Sequence, residues 1–158
     1  MWEDRFSREG YLFGEDPVPF LLKYDSLFQK GQSVLSIAEG EGRNGVHLAK
    51  KGLEITGVEF APSAVAKAQK LAALNKVDAN FIQADLFQWD WPSNSFDITL
   101  GIFFQFVGPD QRNLLWHKML EATRPGGLIM IHGYTPKQLQ FGTGGPPFVE
   151  NMYTQACF

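Results

Sequence analysis

Glu39-Gly40-Glu41-Gly42-Arg43-Asn44-Gly45 follows a short apolar run and has the residue types to hold a small ligand. Gly40 and Gly42 carry no side chain, so a ligand can approach the main chain closely, at the start of a helix whose first amides are unpaired. Glu59 stands about 20 residues farther on, where nucleotide-binding folds place an acid that accepts from both ribose hydroxyls. The glycines alone also suit a plain tight turn, and Glu59 alone a solvent-facing strand end. Their mutual spacing favours a ligand site.

The spacing Gly40-x-Gly42-x-x-Gly45 formally fits a pyrophosphate loop. Glu39 and Glu41 flank the turn, and Arg43 offsets them only in part. Negative charge there opposes a pyrophosphate. It suits a ligand with a cationic sulfonium and ammonium and no phosphate, which favours S-adenosylmethionine over NAD. For a base near a reacting group, the residues to name are Gln105, Tyr11 and His132. Each has a plainer use: Gln105 as the cap of a strand, Tyr11 as packing, His132 as a satisfied core histidine. His47 and His117 fall on helical stretches and read as surface residues. No His, Cys, Asp or Glu cluster has metal-ligand spacing, so no metal is expected.

A loop and an acid so far apart in sequence need a frame. Residues 33–38 read as a buried strand, 44–51 as a helix stopped by Gly52, and 53–60 as a second strand. Residues 63–75 form a long Ala-rich helix started by Pro62 and Ser63. Then come strands over 79–84, 96–104 and 128–134, with a helix over 110–123. The strand over 96–104 is apolar nearly throughout, as a strand covered on both faces should be. Alternating strands and helices imply βαβ units and a parallel sheet. The segment up to Gln29 reads as an irregular, aromatic-rich lid with a helix near Pro19–Gln29. The segment after Pro136 reads as a loop.

With 158 residues, 44% of them hydrophobic and 20% charged, the chain suits one domain with a core of its own. A net charge of -3, with no run of Lys or Arg, argues against nucleic acid as the main partner. A single cysteine, Cys157, precludes an intrachain disulfide and fits a reducing compartment. The acidic and basic residues of Met1 to Gly10 make no signal peptide, and no apolar run could span a membrane. The expectation is a cytoplasmic protein.

Residues 34–44, Val-Leu-Ser-Ile-Ala-Glu-Gly-Glu-Gly-Arg-Asn, resemble motif I of class I methyltransferases, above all the small bacterial branch of tellurite-resistance and thiopurine methyltransferases. Gly57-Val58-Glu59 resembles the family's ribose-binding motif, and Gln83-Ala84-Asp85-Leu86 its adenine-binding motif. Phe96-Asp97-Ile98 with Ile102-Phe103-Phe104 resembles motif IV, and Arg124-Pro125-Gly126-Gly127 the turn before strand five. The segment from Trp2 to Pro17 is similar to the one that folds over the cofactor. Ser36 and Ala38 stand where the motif usually has an acid and a glycine, with Glu39 supplying the acid near the methionine amino group.

The resemblance implies an α/β, Rossmann-like three-layer sandwich with about five mainly parallel strands in order 3-2-1-4-5, strands six and seven missing. It implies one S-adenosylmethionine-binding domain over 1–158, divided into a lid (1–30), a core (31–135) and a C-terminal tail (136–158). The implied reaction is methyl transfer to a small-molecule acceptor, releasing S-adenosylhomocysteine. The cofactor-binding residues it implies are Tyr11, Ala38, Glu39, Gly40, Gly42, Arg43, Asn44, Glu59, Phe60, Asp85, Leu86 and Ile102. An adenosyl-binding protein without transferase activity and an NAD-dependent oxidoreductase are the alternatives. An open fifth strand is a liability, so a homodimer or a folded-back tail is expected to cover it.

Overall fold

Apolar runs too short for helices become five parallel strands in a computed structural model that describes residues 1–157. They are β1 (Ser33–Ile37), β2 (Glu54–Glu59), β3 (Asn80–Gln83), β4 (Phe96–Ile102) and β5 (Thr123–His132), in the order β3-β2-β1-β4-β5. The helices are α1 (Trp2–Phe6), α2 (Pro19–Lys23), α3 (Arg43–Lys50), α4 (Pro62–Leu74) and α5 (Pro109–Ala122). The strand order is the expected one. Phe158, the last residue of the expected tail, lies outside the described residues.

β1 and β4 are central, paired from Val34↔Ile98 to Ile37↔Gly101, and both are almost wholly buried. Alternation then sends their side chains to two layers. Val34, Ile98, Leu100 and Met130 pack under Leu21 of α2 and Leu48 of α3, while Leu35 and Ile37 pack with Leu115 and Met119 of α5. α4 joins the first face through Val65, Ala68 and Leu71, against Val46 and Phe81. From β1 the chain turns to β2, whereas β4 turns the other way to β5. The crevice between the ends of β1 and β4 is therefore the topological switch point, where such sheets take ligands.

Two expected boundaries and two segments read as irregular are corrected. β5 starts at Thr123, not Leu128, because Thr123 pairs with Phe96 and the Arg124-Pro125-Gly126-Gly127 turn is carried as an irregularity in the ladder. The Arg124–Asp97 ion pair at 2.8 Å spans that irregularity. The helix expected to Gln29 ends at Lys23 and is followed by a 3₁₀ turn, Asp25–Leu27, whose Asp25 is gripped by Lys51. The lid is partly helical: Glu3 of α1 accepts hydrogen bonds from the main chain and hydroxyl of Ser63 and so caps α4. The tail contains 3₁₀ turns at Pro136–Gln140, Val149–Asn151 and Gln155–Cys157. His47 is also no surface residue: its Nε2 is buried with no hydrogen-bond partner, and burial lowers its pKa.

The tail folds back past the end of β5. The Tyr153 amide donates to the Tyr134 carbonyl (2.9 Å), and Met152 and Tyr153 are buried. Gln105 fastens it with its whole amide, donating to the carbonyls of Tyr134 (2.8 Å) and Asn151 (3.1 Å) and accepting from the Tyr134 amide (2.5 Å). Arg112 donates to the Glu150 carbonyl (2.8 Å). The coverage is partial: Arg124 to Leu128 stay exposed along the outer edge of β5.

Candidate functional site

The loop after β1 turns sharply because three of its residues adopt positive φ: Ala38 (48°), Gly40 (66°) and Gly42 (89°). The last two glycines of the motif serve packing rather than a ligand. A Cβ on Gly42 would lie 2.7 Å from the Cβ of Ala68, and one on Gly45 would meet Glu39, Ile55 and Phe81 at about 3 Å. Gly40 alone is open, its nearest neighbour being the Phe6 ring of the lid at 3.7 Å.

Glu59 braces the same turn. Its Oε2 accepts from the Gly40 amide and its Oε1 from the Ala61 amide, both at 2.9 Å. One carboxylate thus links the ends of β1 and β2, and each oxygen keeps a further lone pair. Beside it Phe60 is 66% exposed, a large flat ring bared at a strand end. At the end of β3, Asp85 Oδ1 accepts from the Phe87 amide (2.9 Å), which fixes the carboxylate, and Leu86 is buried beneath it. Ile102 closes the floor at the end of β4. Glu59 is thus tied to Gly40, and Asp85 follows at the neighbouring strand end through the Ala84 amide on the Glu59 carbonyl (2.9 Å), while Leu86 and Ile102 are buried in the two core layers.

The acids flanking the turn are both engaged by the protein itself. Glu39 points under the loop, where Oε1 accepts from the Gly45 amide (2.6 Å) and Oε2 bonds the Ser36 hydroxyl. Burial pushes its carboxyl up to about 7, opposed by these hydrogen bonds. Glu41 is neutralised by Lys67 (2.7 Å) and accepts from the Leu12 amide (2.6 Å).

Other expected cofactor residues hold the lid. Arg43 donates to the Phe13 carbonyl (2.9 Å), and Asn44 accepts from the Val18 amide (3.0 Å). The Tyr11 hydroxyl donates to the Lys67 carbonyl (3.3 Å), and Lys67 itself reaches the carbonyls of Arg8 and Gly10. Lys67 was invisible as a site residue, because nothing in a helical Ala-Lys-Ala run marks the one lysine that meets a loop.

The three residues considered as bases part company. Gln105 is occupied by the tail and Tyr11 by the lid. His132, at the end of β5, stacks on Phe20 of α2 (4.6 Å, 12°) and meets the edge of Phe103 at 5.0 Å. Burial lowers its pKa, which favours the neutral ring. Phe103 has φ 56°, a conformation strained for an aromatic residue. With Ala38, it puts strained backbone on both sides of the switch point, where strain tends to mark function.

Residues 34–127 match a protein family described as a methyltransferase domain. The chain is similar to the 23S rRNA (uracil(747)-C(5))-methyltransferase of Pyrococcus abyssi, 43% identical over 116 residues that make up 72% of this chain and 26% of that protein. It is similar to the ubiquinone/menaquinone biosynthesis C-methyltransferase of Bdellovibrio bacteriovorus, at 30% identity over 84% of this chain and 54% of the relative. The fold is shared with an S-adenosylmethionine-dependent methyltransferase from Geobacter sulfurreducens solved with S-adenosylhomocysteine. There the TM-score is 0.68 and identity 17%, over 93% of this chain and 58% of that one. The chain thus spans between about a quarter and about a half of the length of these curated relatives. Among the described residues no helix is long and apolar enough to cross a membrane.

Proposed function

The chain belongs to the methyltransferase-domain family, and from that premise we propose that it is a cytoplasmic, S-adenosylmethionine-dependent methyltransferase of a small-molecule acceptor. The carrying observation is the open Gly40 turn tied to Glu59 at the neighbouring strand end. S-adenosylmethionine, when bound, supplies an electrophilic methyl group, and the protein's part is to hold, orient and exclude water. Gly40 and Ala38 admit the methionine portion to the main chain, and Glu59 accepts from the ribose hydroxyls. Phe60, Leu86 and Ile102 flank the adenine, and Asp85 accepts from its amino group. Glu39 and Gly42 shape the loop, while Tyr11, Arg43 and Asn44 hold the lid over it.

We assign residues 1–158 to one such domain, with 1–30 as lid, 31–135 as core and 136–158 as tail. The motif I variant at Ser36-Ile37-Ala38-Glu39 supports the tellurite-resistance and thiopurine branch. A small acceptor is favoured over RNA by the net charge of -3 and the lack of clustered Lys and Arg, since phosphate contacts need clustered positive charge. Calorimetric titration tests the reading: saturable binding of S-adenosylhomocysteine and none of NADH is expected. A folded chain that binds no adenosyl ligand overturns it.

We also propose that a second copy pairs along the exposed outer edge of β5, as unpaired strand edges invite. Light scattering is then expected to give twice the chain mass. A monodisperse monomer rules the dimer out.

A further inference from the structure

The lining of the switch point differs on its two sides. On the β1–β3 side the groups are an open main chain and two carboxylates. On the β4–β5 side they are rings: Phe103 at the end of β4, His132 and Tyr134 of the β5 end, and Phe20 brought across from α2. Phe103 meets Tyr134 at 4.8 Å as well as His132, and its amide donates to the His132 carbonyl (2.8 Å). All four residues are half-buried rather than sealed. This wall is set by the strained backbone of Phe103, which ordinary core packing does not require.

His132 is the one group in the wall able to move a proton near neutral pH. Its faces are packed, yet neither ring nitrogen has a hydrogen-bond partner among the described residues, and neither is among the buried unpaired atoms. The ring is thus held firmly in place while its nitrogens remain accessible. The ionisable groups around it are Tyr134 beyond Phe103, Tyr24 and Lys23 behind Phe20, and Arg43, which is within electrostatic reach of Tyr134. None of them shifts His132. Burial lowers its pKa and so favours the neutral ring, the form a base needs.

We infer that the rings of Phe20, Phe103 and Tyr134 form the acceptor pocket for a flat aromatic alcohol, and that His132 is the catalytic base that takes its hydroxyl proton. The inference rests on the methyltransferase reading. The acceptor oxygen forms its bond to the methyl carbon as the carbon–sulfur bond breaks, with the electron pair going to sulfur. The hydroxyl proton passes to the imidazole and then to water. Ring-to-ring contact supplies selectivity for a flat acceptor.

The test uses the full chain loaded with S-adenosylhomocysteine and titrated with 2-naphthol as the probe. The His132 imidazole resonance, identified with His132→Gln, is expected to shift on naphthol addition while that of the exposed His117 stays. With S-adenosylmethionine, wild type is expected to methylate naphthol with a rate that rises through a single ionisation below pH 7. His132→Gln should lose at least about 100-fold in kcat with little change in KM, and Phe103→Leu should chiefly raise KM. An unmoved His132 resonance in a chain that binds S-adenosylhomocysteine overturns the pocket. A moved resonance without transfer at any pH, or His132→Gln with the wild-type rate and pH profile, overturns the base. Failure to bind S-adenosylhomocysteine at all is a separate result and sinks the methyltransferase reading itself.

Discussion

Glu59→Ala is expected to weaken S-adenosylhomocysteine binding by about 100-fold or more. Each ribose hydroxyl loses a charged acceptor, at about 1.5–3 kcal/mol per hydrogen bond, and two such losses fill that range. The substitution also frees the amides of Gly40 and Ala61, which the carboxylate now holds at 2.9 Å. Glu59 is nearly buried, so neither amide gains water easily, and a fall in stability of about 2–4 kcal/mol should accompany the loss of binding. Calorimetry and thermal denaturation on the same sample separate the two effects. Asp85→Ala provides the contrast, since Asp85 braces only its own turn and should cost about 10-fold in binding with little loss of stability. A folded Glu59→Ala chain with wild-type affinity would remove Glu59 from the site.

The second large effect concerns pH. Glu39 is held at about 7 in the fold against 4.5 for a free side chain, mainly because burial disfavours its charge. Between those values the folded chain binds more protons than the unfolded one, so stability falls as pH rises. The contribution is fully present below pH 4.5 and lost as pH passes 7, and it amounts to about 3 kcal/mol at about 1.4 kcal/mol per unit. His47 and His132 act in the opposite sense, because burial lowers their pKa values, so their contribution rises as pH climbs to 6.5 and is level above it. The difference between wild type and Glu39→Gln isolates the glutamate. The glutamine carbonyl can accept from the Gly45 amide while its NH₂ donates to the Ser36 hydroxyl, keeping both contacts without the charge. Chemical denaturation is expected to show the variant equal to wild type near pH 5 and more stable by about 2–3 kcal/mol near pH 8. Equal stability at both would mean that Glu39 is ionised at no cost in the fold.

How much of this was legible in the chain follows from the range of the interactions concerned. The alternation of apolar strands with helices, the glycine turn and the acid at the end of the second strand are local patterns. Backbone geometry and side-chain period act within a few residues, so the residues themselves carried the alternation of strands and helices and the spacing of the Gly40 turn from Glu59, while the strand order was implied by the family resemblance. Where a charged side chain points depends on what lies beside it in space. Glu39 and Glu41 look alike in sequence, yet one is drawn under the loop by the Ser36 hydroxyl and the Gly45 amide, and the other outward by Lys67 and Leu12. Glu3 capping a helix 60 residues away, Gln105 fastening the tail, and Phe20 stacking on His132 across 112 positions arise only when distant segments meet. The sequence by itself determined the sheet and the ligand-facing turn, because periodicity and glycine placement are written locally. Only the tertiary structure decided which polar groups face the crevice and which brace it, because burial and hydrogen-bond partners are properties of the packed chain.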